Sequence, residues 1–97
     1  MIPEKFKIAG NEVKVEFVDK TDDNCYGYWC DVTNIITIAK NISLKNGELT
    51  ALSERQMLNT FYHELCHAFQ FYSGKEYSEP DCNIFANFML EFNESKN

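Results

Sequence analysis

The segment His63-Glu64-Leu65-Cys66-His67 constrains this chain more than any other feature. It lies in a stretch with a helical pattern, where residues four apart stand about 5–6 Å from each other on one face. Two imidazoles at that spacing can bind one metal ion, with Zn–N bonds of about 2.0–2.1 Å. Glu64 points about 100° around the helix, so it can reach a water molecule on the ion without ligating it. Both histidines of the chain lie here, so we expect the functional site here.

The composition limits the classes of protein to consider. A chain of 97 residues is expected to form a single domain over residues 1–97. Its net charge of −6 argues against a nucleic-acid partner. No apolar run approaches the roughly 20 residues of a membrane span, so no membrane partner is expected. The first residues lack the apolar region of a signal peptide, and a cytoplasmic location is therefore predicted.

The four cysteines match no zinc-finger or zinc-ribbon spacing. Cys25 and Cys30 have four residues between them, and no C-x-x-C pair is present. In a reducing cytoplasm all four are expected to be free thiols. A disulfide between Cys25 and Cys30 remains the alternative for an exported protein.

The first half of the chain has β-strand patterns. Apolar and polar residues alternate over residues 6–8 and 13–17, and Gly10-Asn11 between them is typical of a hairpin turn. Residues 26–32 are aromatic and β-prone, and Ile35–Ala39 is a further strand. These patterns predict three or four strands in a small sheet, mostly antiparallel or mixed. Residues 45–50 are expected to form a loop.

The second half of the chain is predicted to be helical. Ser53 is a suitable N-cap and Gln56 completes a capping box. The helix should run to about Tyr72, with Gly74 ending it. A last helix should span residues 79 to about 92, and the tail at 93–97 should fray.

The faces of the two helices indicate how they pack. The face expected on the sheet carries Leu58, Phe61, Leu65, Phe69 and Tyr72. The opposite face carries Gln56, Thr60, His63, His67 and Gln70. The histidines should therefore point to the last helix, which has one small-residue face (Glu79, Cys82, Ala86, Leu90) and one apolar face (Ile84, Phe85, Phe88, Phe92). The predicted fold is α+β, with the sheet packed on the H-E-x-x-H helix and the C-terminal helix covering it.

A catalytic zinc site needs a third protein ligand. Gln70 and Ser73 occupy the positions where a metzincin has a glycine and a third histidine, so that class is excluded. An Asp, Glu or Cys must therefore complete the site. Glu79 is favoured because it shares a face with Cys82, where the helices can approach closely. Asp81 is the alternative, although it also suits a capping position after Ser78.

Two segments of this chain resemble known metallopeptidases. Residues 60–68 (T-F-Y-H-E-L-C-H-A) and 79–86 (E-P-D-C-N-I-F-A) are similar to zincin-like peptidases of the ImmA/IrrE type and to minimal gluzincins. In that group an H-E-x-x-H helix is followed by a helix of the form E-x-x-A-x-x-F-A, and Cys82 replaces its first alanine. The resemblance covers about residues 27–92. It implies a minimal zincin-like fold, Glu79 as third ligand and a peptide substrate held along an edge strand, here Ile35–Ala39.

The expected function is that of a zinc-dependent peptidase acting on a peptide or protein substrate. Glu64 would act as general base toward a metal-activated water molecule. Tyr72 and Tyr77, near the end of the active helix and in the loop after it, are candidate donors to the negative charge that develops. The alternative is a zincin-like protein that binds metal but is latent or non-catalytic and acts as a regulatory or binding module.

Overall fold

The computed structural model describes residues 2–96, and within them the chain forms six strands and two helices. In chain order these are β1 (Lys5–Ile8), β2 (Asn11–Val18), β3 (Gly27–Cys30), β4 (Ile35–Ala39), β5 (Asn41–Ser43), β6 (Leu49–Ala51), α1 (Glu54–Tyr72) and α2 (Glu79–Ser95). The α+β class and the mixed sheet predicted from the sequence are therefore confirmed. The described residues include no helix that is both long enough and apolar enough to span a membrane.

The main sheet has the order β1-β2-β4-β3. β2 pairs with β1 in antiparallel and with β4 in parallel orientation, and β3 pairs antiparallel with β4. The β1–β2 turn is formed by Ala9 and Gly10, one residue earlier than expected, with φ angles of 50° and 80°. Such a pair of positive φ angles matches the twist of the flanking strands.

The prediction that Ile35–Ala39 is an edge strand is wrong. β4 lies between β2 and β3, and the edges of the sheet are β1 and β3. Ile36 and Ile38 on β4 are fully buried, which is typical of an apolar strand with neighbours on both sides. The strand order depends on the parallel β2–β4 pairing, which no local pattern reveals. Of the two edge strands, β3 makes the more extensive contact with α1.

A second, two-stranded sheet pairs β5 with β6. The loop expected at residues 45–50 ends earlier, since Leu49 and Thr50 belong to β6. The Asn46-Gly47 turn lies where expected, with Gly47 at a φ of 86°. The two strands were missed because each has three residues and β6 is exposed along its whole length, so neither shows alternation.

α1 begins and ends where the sequence predicts. The Ser53 side chain accepts a hydrogen bond from the Gln56 backbone N–H, and the Gln56 side chain accepts one from the Ser53 N–H. Gly74, at a φ of 69°, follows the last turn. α2 has the expected N-cap, Ser78, but continues to Ser95. The prediction that the chain frays from residue 93 is wrong for residues 93–95. Asn93 donates a hydrogen bond to the Tyr62 hydroxyl, and Glu94 forms an ion pair with Arg55. Asn97 lies outside the described residues.

α1 lies between the sheet and α2. The buried core joins Val13, Val15, Ile36 and Ile38 of the sheet with Phe61 and Tyr62 of α1 and Ala86 and Leu90 of α2. Phe69, which was expected on the sheet, is 53% exposed. The Phe69 side chain points neither at the sheet nor at α2, because the four strands cover only part of the circumference of α1. On α2 the small-residue face packs against α1 as predicted, with Cys82, Ala86 and Leu90 buried, whereas Ile84, Phe88 and Phe92 are exposed.

Gly27 allows α1 to pack closely on the edge strand β3. A Cβ atom at this position would clash with the Thr37 carbonyl oxygen and would lie 2.6 Å from Cγ2 of Thr60 on α1. Any side chain here would therefore push α1 away from β3. The glycine thus fixes the distance between the edge strand and the helix that carries the histidines.

We expect Gly27→Ala to lower the free energy of unfolding by about 1–3 kcal/mol, because the added methyl group overpacks this contact. Urea unfolding monitored by tryptophan fluorescence measures the loss. Thr60→Ser removes the Cγ2 atom, so the double variant should recover part of the stability. An unchanged urea midpoint for Gly27→Ala would show that the contact between α1 and β3 is not close.

Candidate metal centre

Three side chains from two helices converge at one end of the α1–α2 contact. His63 and His67 lie one turn apart on α1, and Glu79 is the first residue of α2. The Glu79 oxygens lie 2.8 Å from Nε2 of His63 and 2.9 Å from Nε2 of His67. The two Nε2 atoms are 3.1 Å apart. The structure thus brings together the two predicted histidines and the favoured third ligand.

These atoms fit a divalent metal ion. All three ligand atoms lie within 4.8 Å of one another. Ligands at about 2.0–2.1 Å from a tetrahedral ion stand about 3.3–3.4 Å apart, so the group needs to open by only a few tenths of an ångström. Two imidazole nitrogens and one carboxylate are a known donor set for catalytic zinc, which leaves a fourth position open. The residues present therefore fit a zinc ion, although other divalent ions accept the same atoms.

Asp81 does not belong to this group. Its backbone N–H donates to the Ser78 hydroxyl at 3.3 Å, in the capping position that the sequence also allowed. Its side chain is exposed and is not among the atoms that converge on the histidines. Between the two acids considered from the sequence, the structure selects Glu79. The reason is the small residue at Cys82, fully buried in the same face, which lets the first turn of α2 approach α1.

Gln70 orients His67 and was not assigned a role from the sequence. Its Oε1 lies 3.1 Å from Nδ1 of His67 and also accepts from the Ser78 backbone N–H at 3.2 Å. With Nδ1 protonated and donating to Gln70, Nε2 of His67 is left free to bind a metal. Gln70 is buried. Its position three residues after His67, on the same helix face, was the available signal.

Cysteine was the third type of residue considered as a ligand, and no cysteine belongs to the metal-binding group. Sγ of Cys82 lies 3.4 Å from Nδ1 of His67, on the side of the ring away from Glu79. Burial raises the pKa of the Cys82 thiol, and neighbouring Cys66 acts in the same direction. The thiol therefore stays protonated and packs behind His67. All four cysteines of the chain are free.

The pKa values of the two carboxyl groups of the site are shifted in opposite directions. Burial raises the pKa of Glu64 to about 8, and the nearby charge of Glu79 adds to this effect. Burial also acts to raise the pKa of Glu79, but its hydrogen bond to His63 and the charges of both histidines outweigh it and lower that pKa below its ordinary value. Glu79 is thus the ionised ligand and Glu64 the group that can hold a proton.

A cleft follows the edge strand β3 past these residues. One cavity of about 330 Å³ is lined by Gly27, Tyr28, Trp29, His63, Glu64, His67, Tyr77 and Glu79. A second, of about 300 Å³, shares Gly27, His63 and Glu64 and extends toward the N-terminus of α1. A larger cavity of about 480 Å³ lies elsewhere, near Phe17 and Leu90, and does not touch the histidines. The candidate site is therefore identified by its potential metal ligands and ionisable residues, and not by the size of its cavity.

The two candidate tyrosines have different positions. The Tyr77 ring packs edge-on against His67, with ring centres 5.2 Å apart, and lines the cleft. The proposed role of Tyr72 is contradicted by its contacts. Its hydroxyl donates to the Asn34 side chain and its ring packs on Trp29, because it projects from α1 toward the β3–β4 turn and away from the histidines.

Comparisons of this chain with protein-family models, with curated proteins and with solved structures found no match. The resemblance of residues 60–68 and 79–86 to zincin-like peptidases therefore stays a prediction. The site rests on the geometry of His63, His67 and Glu79.

Replacing the third ligand tests the metal centre directly. We expect Glu79→Ala to weaken zinc binding on the order of 100-fold. Replacing a residue that only supports a metal ligand typically lowers metal affinity by about 10–100-fold, and replacing a ligand itself should lower it at least as much. Asp81→Ala is the matched control and should change the affinity less than twofold. Competition with a chromophoric chelator measures both. Equal losses in the two variants would contradict the assignment of Glu79.

The raised pKa of Glu64 has a consequence for the stability of the chelator-treated protein. The folded chain holds a proton on Glu64 that the unfolded chain releases near pH 4.5. Stability should therefore fall as pH rises from about 5 to 8, by at most about 1.4 kcal/mol per pH unit for one proton. Glu64→Gln should flatten this slope in urea titrations with chelator present. Identical slopes for the variant and the wild type would contradict a raised pKa.

Proposed function

We propose that this chain is a zinc-dependent peptidase. The observation that carries the proposal is the convergence of His63, His67 and Glu79 with the Glu64 carboxyl beside them in a cleft. Two helices supply the three ligand atoms, and the edge strand β3 forms the opposite wall of the cleft. This arrangement has a metal position, a proton carrier and a surface for an extended chain next to one another.

Zinc is the proposed ion because of its ligand chemistry. Imidazole nitrogens suit zinc, and three protein ligands leave one position free for water or substrate. Bound there, the ion would lower the pKa of a water molecule and polarise a substrate carbonyl. The four free cysteines fit a reducing compartment, and a cytoplasmic location is part of the proposal.

Glu64 is the proposed proton carrier. It follows His63 on α1, but its side chain points in a different direction around the helix axis. Glu64 therefore lines the cleft without joining the metal-binding group. The neighbouring cation would oppose the burial that raises its pKa to about 8. A lowered pKa leaves more of this carboxyl group ionised, so that it can take up a proton from water and pass it to the leaving amine.

Tyr77 is the proposed donor to the oxygen on which negative charge develops. Its ring lies against His67 at the rim of the cleft. Burial raises the pKa of its phenol, and a phenol carries its proton at neutral pH even at its ordinary pKa. A neutral hydroxyl near the reacting carbonyl can donate a hydrogen bond that strengthens as charge builds up.

The substrate is proposed to lie along β3 instead of β4. As an edge strand, β3 has backbone groups on its outer side that are not used by β4. An extended peptide can pair with such an edge by main-chain hydrogen bonds. Since Gly27 is shared by both halves of the cleft, a peptide paired with β3 would pass directly beside Glu64 and His63.

We expect the purified chain, loaded with zinc, to cleave members of a mixed peptide library, and a chelator to stop this cleavage. Glu64→Gln should keep one zinc per chain and lose at least 100-fold in rate, because proton transfer of this kind contributes about 10²–10⁴-fold. Mass spectrometry of the products and metal analysis measure both effects. Zinc binding without any chelator-sensitive product would contradict the peptidase and support the non-catalytic alternative.

A further inference from the structure

The cavity of about 300 Å³ beside His63 and Glu64 has a wall of uncharged amides. Gln56 and Asn59 contribute from α1, and Asn83 contributes from α2. Its volume is at the low end of ligand pockets, so it suits one side chain and not a whole cofactor. Because it shares His63 and Glu64 with the metal centre, its occupant would lie next to the reacting bond.

The elements that place the metal ligands also place the amides. Gln56 and Asn59 precede His63 by seven and four residues and so continue its helix face toward the N-terminus. Asn83 follows Glu79 by four residues, one turn further along α2. The positions of the amides relative to the metal are therefore fixed by two helices and not by loops.

The amides have free hydrogen-bonding capacity. Within residues 2–96, the side chains of Asn59 and Asn83 make no hydrogen bond, and Gln56 uses only its oxygen, which accepts from Ser53 at 2.8 Å. A primary amide offers two donors and an oxygen with two lone pairs. The Thr60 hydroxyl is already engaged with the Gln56 carbonyl at 3.0 Å. The wall can thus donate to and accept from a ligand, and its only ionisable acid is Glu64.

We propose that this cavity is the specificity subsite for a substrate residue beside the scissile bond, and that it selects glutamine or asparagine. The inference rests on the proposed peptidase function. A primary amide has both donors and an acceptor, and these match the donors and acceptors of the wall amides. A glutamate side chain is disfavoured because an ionised carboxylate only accepts hydrogen bonds and cannot donate to the amide oxygens of the wall. A lysine finds no acid except Glu64, which must remain free for proton transfer.

The experiment compares blocked pentapeptides Ala-Ala-Xaa-Ala-Ala, with Xaa being Gln, Asn, Ala, Leu, Glu or Lys. With the zinc-loaded chain, kcat/KM for the Gln and Asn peptides should exceed the others about 10-fold, in line with two hydrogen bonds gained. Asn59→Leu and Asn83→Leu should each reduce this preference to less than threefold. Asn87→Leu is the matched control, because Asn87 is exposed on the same helix, one turn beyond the cavity, and it should keep the preference.

A second readout does not depend on turnover. In NMR titrations, the Gln peptide should shift the side-chain amide signals of Asn59 and Asn83, and the Ala peptide should leave them in place. Circular dichroism and zinc content verify that each variant is folded and loaded. The two measurements together separate binding in the cavity from effects on the metal.

The outcomes distinguish the two proposals. Equal rates for all peptides, faster cleavage of the Lys or Glu peptide, or a preference that survives both Leu variants would overturn the subsite while leaving the peptidase intact. No chelator-sensitive cleavage of any peptide by the zinc-loaded chain would overturn the peptidase and the subsite with it.

Discussion

The close packing of α2 on α1 is the interaction on which the candidate metal centre depends. Cys82 and Ala86 are fully buried where the helices meet, and their small side chains let the two backbones approach. Since Glu79 lies on the same face of α2, this approach brings its carboxylate to the two histidines of α1. A larger side chain at either small position would separate the helices and pull the third ligand away. The convergence of these three side chains is therefore a consequence of hydrophobic packing.

The surroundings of the ligands limit what each of them can do. Gln70 and Cys82 lie behind His67 and hold its ring from the side opposite Glu79. Glu64 is buried beside an ionised neighbour, and this combination raises its pKa, whereas the histidines lower that of Glu79. A cation between these groups would relieve the repulsion between the two carboxyl groups. The same contacts thus orient the histidines and make the site favourable for a metal.

Much of this arrangement could be predicted from local sequence patterns. The cap at Ser53, the span of α1 and the convergence of His63, His67 and Glu79 follow from residue spacing and from the small-residue face of α2. The patterns did not reveal the central position of β4, because strand order depends on pairing between β2 and β4 over a long sequence separation. They also failed for Phe69, since alternation and helical periodicity show which residues share a face but not how far the neighbouring layer extends.

The most direct test of the central claim is diffraction at the zinc absorption edge from crystals of the zinc-loaded chain. The account predicts one anomalous peak within about 2.0–2.2 Å of Nε2 of His63, Nε2 of His67 and a carboxylate oxygen of Glu79. A peak held by other residues, or ligation by the two histidines with Glu79 turned away, would contradict it.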